Sequence, residues 1–400
     1  MNTGIFGAVP DDWTVKKLGF LVSLQSGESI TSNDINDIGD YPVFGGNGLR
    51  GFTKSFTHCG NYVLIGRQGA LCGNINYASG QFWASEHAVV VSPKEPCDER
   101  WLGASLQAMN LNQYSLSAAQ PGLSVESISQ LKIAVPPKVV QDAIAAYLDR
   151  ETAGIDLLIK EKEGMLALLE EKRAALISHF VTRGLNPRAA MKESGYQWLG
   201  KIPKHWKTER SKRLLIERDE RSVTGTEEML TVSHLTGVTK RSEKDVNMFE
   251  AESNEGYKLC SPDNLAINTL WAWMGAMGVS KDEGIVSPAY HVYRISGDYL
   301  PPYVDALVRT PAFVAEITRF SKGVWSSRLR LYPEGLYEVR LPVPPRDEQQ
   351  AIVDAIAQER EKSAGIEFAL KESIALLKER RAALITAAVT GQIPLNRMKP

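Results

Sequence analysis

The 400-residue chain is poor in the features that announce metal, membrane or redox chemistry. It has four cysteines, Cys59, Cys72, Cys97 and Cys260, none in a CxxC pair, and the spacing of His58, His87 and Cys97 matches no zinc site. Buried free thiols are the expectation, with no metal and no cofactor. No stretch reaches the roughly 18 consecutive apolar residues of a membrane span, and the opening MNTGIFGAVPDDW has neither a basic segment nor an apolar run. A cytoplasmic protein is expected. Net charge is −1, so composition alone argues for no nucleic-acid partner. Also missing are an HExxH, an Asn-Pro-Pro-Tyr-type methyltransferase motif and a nuclease-like cluster of Asp, Glu and Lys. An apolar share of 43% with 23% charged residues is that of ordinary globular domains and excludes a disordered chain.

What is present is a duplication. The octet EKRAALIS at 171–178 returns as ERRAALIT at 379–386. Shifting the chain by 208 positions aligns residues 135–182 with 343–390 without a gap, giving 18 identities in 48 pairs where chance gives roughly three. A weaker echo at a shift of 193 lays FGAVPDDW (6–13) on LGKIPKHW (199–206). Each repeat therefore holds a Val/Ile-Pro-x-x-Trp opening, a body of over a hundred residues, a Pro-Pro break and a charged, Ala-rich tail.

The tails read as helices with one apolar seam each. Ile155, Leu158, Met165, Leu169, Leu176 and Phe180 recur at three- and four-residue steps, as do Ile366, Leu370, Ile374, Leu377, Leu384 and Ala388. The spacing predicts a short helix over 141–149 and a long one from about 152 to 182, the latter weakened at Gly154 and Gly164 by about 1 kcal/mol each. An intramolecular hairpin in which each seam buries the other is the simplest arrangement.

The bodies predict mixed α/β structure. Strand-like runs NYVLIGRQG and EHAVVVSP precede a helical ERWLGASLQAMN; in the second body NLAINTLWAWMGAMGVS and SPAYHVYRIS precede a helical PPYVDALVRTPAFVAEITRFS. Each body closes on a strand, QLKIAVPP or EVRLPVPP. FGGNGLRG at 44–51 is the strongest phosphate-loop candidate, but it lacks the following Lys-Ser/Thr and the strand-to-helix context, so a hairpin turn is the expectation. His87, next to Glu86, reads as a structural or polar-reading residue, because strand neighbours face opposite ways and no nucleophile is placed beside it.

The ordered set YPVFGGNG, VLIGRQG, EHAVVV, AQPGLS, VPP and EEKRAALIS, followed by YQWLGKIPKHW, GIVSPAY, VPP, EQQAIV and KERRAALIT, resembles the specificity (S) subunit of type I restriction-modification systems. The resemblance covers nearly the whole chain. It implies a mixed α/β fold of two similar target-recognition domains joined by two long antiparallel helices in a coiled coil, with a pseudo-two-fold. The implied segments are 1–137 (first recognition domain), 138–190 (first helical spacer), 191–345 (second recognition domain) and 346–400 (second spacer). Such subunits have no catalytic site; each domain reads half of a bipartite double-stranded DNA target, and the helices set the spacing and dock two methyltransferase (M) subunits, through which restriction (R) subunits join. A helix over 152–182 would be about 45 Å long, near the 34–36 Å of one DNA turn.

Charge qualifies that expectation. Residues 1–137 hold 8 basic against 11 acidic side chains, and 191–345 hold 21 against 20. Neither body is a basic DNA binder, so the isolated chain is expected to bind duplex weakly and M subunits to supply much of the positive surface. Base reading then falls to loop side chains: Asn47, Arg67, Gln68, Asn74 and Gln120 in the first body, and Trp273, Lys281, Lys322, Ser326, Ser327, Arg328 and Arg330 in the second, since Arg forks onto guanine and Asn or Gln onto adenine. Two rival readings stay open: a scaffold whose modules bind something other than DNA, such as glycans, and an adenosyl-dependent methyltransferase using FGGNG.

Overall fold

In a computed structural model, the structure describes residues 9–69, 71–115, 122–244, 253–323 and 329–398. The chain forms two compact units. One comprises residues 1–163 with 370–400, the other 164–369. The division cuts through both tails, so each long helix begins in one unit and ends in the other.

In the first unit, Thr14–Lys17 pairs antiparallel with the closing strand Lys132–Val135. The main sheet runs Val22–Ser26, Ala88–Pro93, Tyr62–Gly66, Ile75–Ala78, all neighbours antiparallel. Its central strand is buried on both faces, as an uninterrupted valine run requires. Val89 and Val91 pack with Trp101, Leu102 and Leu106 of the helix Glu99–Ala108, whereas Val90 and Leu64 pack with Phe82 and Ala84 of a second sheet. Asp98 caps that helix by accepting from Arg100 N and Trp101 N, both at 2.9 Å. In the second sheet Tyr41–Gly45 and Gly48–Thr53 form a hairpin whose two-residue turn is Gly46–Asn47, with Gly48 at φ 91°.

The second unit repeats the frame. Lys207–Arg210 pairs with Arg340–Val343, and the sheet order is Leu215–Arg218, His291–Ile295, Asn264–Ile267, Met277–Val279. The stretch expected as one helix after Pro301 is two, Pro301–Val308 and Pro311–Phe320. Pro311 cannot donate to the preceding turn, and Thr310 instead caps the new helix by accepting from Phe313 N at 3.3 Å.

Several repeat identities now have physical causes. Trp13 N and Trp206 N each donate to the carbonyl of the proline three residues earlier, at 3.0 Å. Each Pro-Trp pair closes over the positive-φ glycine that ends a long helix: a Cβ on Gly391 would lie 2.6 Å from Pro10, and one on Gly184 would lie 3.2 Å from Trp206. Gln141 is buried; its amide donates to Pro136 O at 2.9 Å and its oxygen accepts from Asp98 N at 3.0 Å. Gln349 repeats this with Pro344 O at 3.0 Å and Leu300 N at 2.8 Å. One glutamine per repeat thus ties the start of a long helix to its body.

The first long helix, Lys138–Arg183, is uninterrupted over 46 residues, without the break expected near residue 150. That makes it about 69 Å long, half as long again as expected. Ile144, Leu148, Ile155 and Ile159 form a continuous buried line through the expected break, which outweighs the cost of glycine. A Cβ at Gly154 or Gly164 would meet nothing within 4 Å. Gly154→Ala and Gly164→Ala are therefore expected to stabilise the chain by about 1 kcal/mol each, read as a higher urea midpoint at unchanged slope; a lower midpoint would show that these glycines are required. The second long helix is Arg346–Val389, 44 residues.

Candidate nucleic-acid interface

At one end of the main sheet of the first unit, three turns converge: Gly46–Asn47, the loop from Arg67 to Asn74, and the turn 85–87. A Cβ on Gly46 would lie 3.1 Å from His87 O and 3.2 Å from Gln68 O, a tight fit that glycine relieves. Arg67 N donates to His87 O at 2.8 Å, and Leu123 N to Arg67 O at 2.9 Å. Four of the five sequence candidates come together here. Asn74 Nδ2 donates to Asn47 Oδ1 at 3.3 Å, Arg67 Nη1 donates to Ser26 Oγ at 3.1 Å, and Gln68 Oε1 lies 3.0 Å from His87 Nδ1. Gln120 lies outside the described residues.

Residues the sequence argument had set aside join them. Glu86 and His87 do not face opposite ways, because they sit in a turn before the strand Ala88–Pro93 begins; His87 Nε2 lies 3.1 Å from Glu86 Oε1. Asn76 Nδ2 and Glu86 Oε2 are buried with no hydrogen-bond partner among the described residues. The Gly-rich stretch forms the hairpin turn expected of it, with carbonyl oxygens of His87 and Gln68 close to Gly46.

The equivalent end of the second sheet is built differently. Leu331 N donates to Thr269 O at 3.0 Å, the counterpart of Leu123 on Arg67, and Lys322 and Arg330 exchange backbone hydrogen bonds at 2.8 and 2.9 Å. Thr269 Oγ1 donates to Ala289 O at 2.8 Å and Asn268 Nδ2 to Tyr290 Oη at 2.9 Å. This end presents Leu270, Trp271 and Met274, with Trp271 50% exposed and stacked on Trp273 at 6.4 Å between ring centroids. A short 3₁₀ turn, Ala272–Met274, and the bond from Trp273 Nε1 to Leu270 O at 3.0 Å hold the tip. Of the two stacked tryptophans the sequence reading picks out Trp273 and not Trp271, the one whose exposure the fold reveals.

Of the second-body candidates, Trp273, Lys322 and Arg330 belong to this end. Lys281 does not. The strand Met277–Val279 runs back along Asn264–Ile267, so Lys281 emerges at the far end, near the bond from Asp263 N to Ser280 O, in a groove with Leu235, Arg309 and Glu170. Ser326, Ser327 and Arg328 lie outside the described residues.

The helix seam is displaced from its sequence reading. Ile155, Ile374 and Ala388 are buried, and Leu169, Leu176, Leu370, Leu377, Leu384 and Phe180 are half-buried, but Leu158 and Ile366 are 46% and 45% exposed and Met165 is exposed as well. The covered line steps 155, 159, 162, 166, 169, 173, 176, a regular four-three heptad in which Lys162 and Arg173 occupy seam positions. Ion pairs flank it. In the first unit Arg381 grips Asp156 with two bonds of 2.7 and 3.2 Å, and Lys378 meets Glu163 at 3.1 Å; the partner number falls as the other rises, so the helices run antiparallel. In the second unit Arg173 faces Glu367 at 3.7 Å.

The thiols divide. Cys72 and Cys260 are buried as expected, Cys97 is half-buried, and Cys59 is exposed at the end of a short edge strand, where no core covers it. Burial pushes the Cys97 and Cys260 thiols up to about 11. Among the described residues no three His, Cys, Asp or Glu side chains gather as a metal site, and no helix is long and apolar enough to cross a membrane.

Comparison with known proteins bears on this geometry. Residues 10–165 match the family model for the type I restriction modification DNA specificity domain. The type I restriction enzyme EcoprrI specificity subunit of Escherichia coli is 47% identical over 139 residues, 34% of this chain and 35% of that protein. A putative type I restriction enzyme specificity subunit of Haemophilus influenzae, S.HindORF215P, is 33% identical over 118 residues, 29% of this chain and 31% of its own. The chain thus spans about a third of the length of these curated relatives (35% and 31%). A solved chain, from a structure concerned with complex assembly and conformational transition of the type I R-M system, aligns over 97% of this chain and 100% of its own at a TM-score of 0.58 and 15% identity, which shows a common fold. The likeness to the type I restriction modification DNA specificity domain is thus carried by residues 10–165, and the solved chain adds a common fold alone.

Proposed function

We propose that this chain is the DNA specificity subunit of a type I restriction-modification complex. Each recognition domain reads one half of a split duplex target through the loops at one end of its main sheet. The two long helices set the spacing between half-sites and dock two M subunits, through which R subunits join, and the chain itself catalyses nothing. One observation carries the reading: the two bodies keep the same sheet order and tie the same loop end by an equivalent backbone bond, Leu123 N to Arg67 O and Leu331 N to Thr269 O, yet the side chains there differ, with Asn47, Arg67, Gln68 and Asn74 in one and Trp271, Trp273, Lys322 and Arg330 in the other. A constant frame with variable tips is what independent reading of two unlike sequences requires. With near-neutral bodies, affinity must come largely from the partners' charge and selectivity from base edges.

Exchange of residues 14–130 for the first domain of another specificity subunit tests it. Methylome sequencing of cells carrying the hybrid with its M subunit is expected to show one half of the motif replaced and the other intact. A hybrid that alters both halves would break the modular reading, and glycan or other non-DNA binding with no methylation motif at all would favour the scaffold alternative.

A further inference from the structure

The first domain contains a three-residue chain that its proposed role does not by itself explain. Gln68 is exposed at the loop end, with its amide oxygen 3.0 Å from His87 Nδ1. His87 Nε2 in turn lies 3.1 Å from Glu86 Oε1, while the other Glu86 oxygen is buried without a partner among the described residues. The imidazole backbone is itself fixed, because His87 O accepts from Arg67 N at 2.8 Å and Ala88 N donates to Ser85 O at 2.9 Å.

We infer that His87 is a positioning residue for base reading by Gln68, with Glu86 orienting the imidazole. The inference rests on the reading of the first domain as a half-site reader. Glutamine has three side-chain torsions, and a free one loses much of what a base edge returns when it is ordered. A bidentate amide contact discriminates its base by about 5- to 150-fold, and only if the amide plane is held in the plane of the base. A ring nitrogen beside the amide oxygen does that: it fixes the last torsion, and leaves the amide N–H groups and the oxygen's second lone pair to meet the base. The carboxylate on the far ring nitrogen limits the ring's rotation, as a second partner does for a metal-binding histidine.

The test uses the complex with its M subunits and duplexes carrying the motif, once methylome sequencing has read it. Methylation rates are compared between the cognate duplex and every single-pair change in both half-sites. His87→Ala is expected to lower discrimination at one base pair of the first half-site about tenfold and leave discrimination in the second half-site unchanged. Gln68→Ala should lower it at the same pair, and the double variant should lose no more than Gln68→Ala alone, because a positioner has nothing left to position. His87→Gln, which keeps a hydrogen-bonding end, should restore part of the loss and carries the test if His87→Ala fails to assemble. Unchanged discrimination in His87→Ala, or losses that multiply in the double variant, would overturn the inference. Wild-type rates indifferent to every change in the first half-site would overturn the half-site reading and the inference with it.

Discussion

Replacing Leu169 and Leu377 together by Asp is expected to abolish assembly with M while leaving both recognition domains folded. Each leucine is a half-buried seam residue, and the two are repeat equivalents 208 positions apart. A carboxylate there loses the apolar contact and is partly withdrawn from water, and the cations one turn on, Arg173 and Arg381, already face Glu367 and Asp156, so the cost is several kcal/mol per pair of sites even after allowing for partial exposure. The bodies have cores of their own around Trp101 and Tyr303, which do not depend on these positions. Near-UV circular dichroism should therefore stay native while co-purification with M is lost. The displaced seam supplies the control. Leu158→Asp with Ile366→Asp, at positions 46% and 45% exposed, should assemble normally. Equal behaviour of the two pairs, whether both tolerated or both lethal, would show that the heptad line is not what holds the helices.

A four-residue insertion between Glu161 and Glu170 is expected to yield an active enzyme whose unspecified spacer is one or two base pairs longer, both half-site sequences unchanged. The site is where the first long helix passes from one compact unit to the other, between residues 163 and 164. Four residues add about 6 Å and about 400° of rotation, a net of about 40°. DNA gains about 3.4 Å and 34–36° per pair, so the rotation matches one extra pair and the length nearly two. Seven residues would restore helix phase but translate by about 10 Å, three pairs' worth, with a mismatched DNA rotation; such an insertion should be much less active. Methylome sequencing reads the outcome directly, and an unchanged spacer in an active enzyme would remove the helices as the ruler.

The fold was legible in the sequence to the extent that it was repeated. The gap-free match of 135–182 to 343–390 marked both long helices, and the runs VLIG and AVVV marked central strands. The seam was misplaced because Lys162, Arg173, Ser363 and Glu367 sit on the covered line; a search for apolar residues slides past them to Leu158, Met165 and Ile366, one helical step aside. Long alkyl stems make this possible, since Lys and Arg can cover a seam and keep their charge in water. The unbroken first helix was missed for a related reason: tertiary burial of Ile155 and Ile159 decides the outcome, and local propensity at Gly154 does not. Asn47, Arg67, Gln68 and Asn74 could be grouped from the sequence because all four follow or precede strands at one end of one sheet. That Lys281 lies at the other end of its sheet from Trp273 was not legible, because strand direction is invisible until pairing is known, and Glu86 and His87 were expected to face opposite ways because a turn was read as strand.

The division of the chain also fixes the order in which it can fold on the ribosome. The second unit, residues 164–369, is one contiguous segment, complete as soon as its last residue is made. The first unit begins earlier but closes last: Ile385, Ala388, Val389 and Met398 belong to the same core as Trp13, Leu18 and Trp101, and Gly391 packs on Pro10. At roughly 5–20 residues per second, that core waits a few seconds after its neighbour has everything it needs. Its closing contacts join residues nearly 400 positions apart, which places them among the slowest to form. Termination between residues 369 and 385 would thus release a chain whose second unit is finished and whose first unit still exposes the apolar surface that Ile385, Ala388, Val389 and Met398 cover.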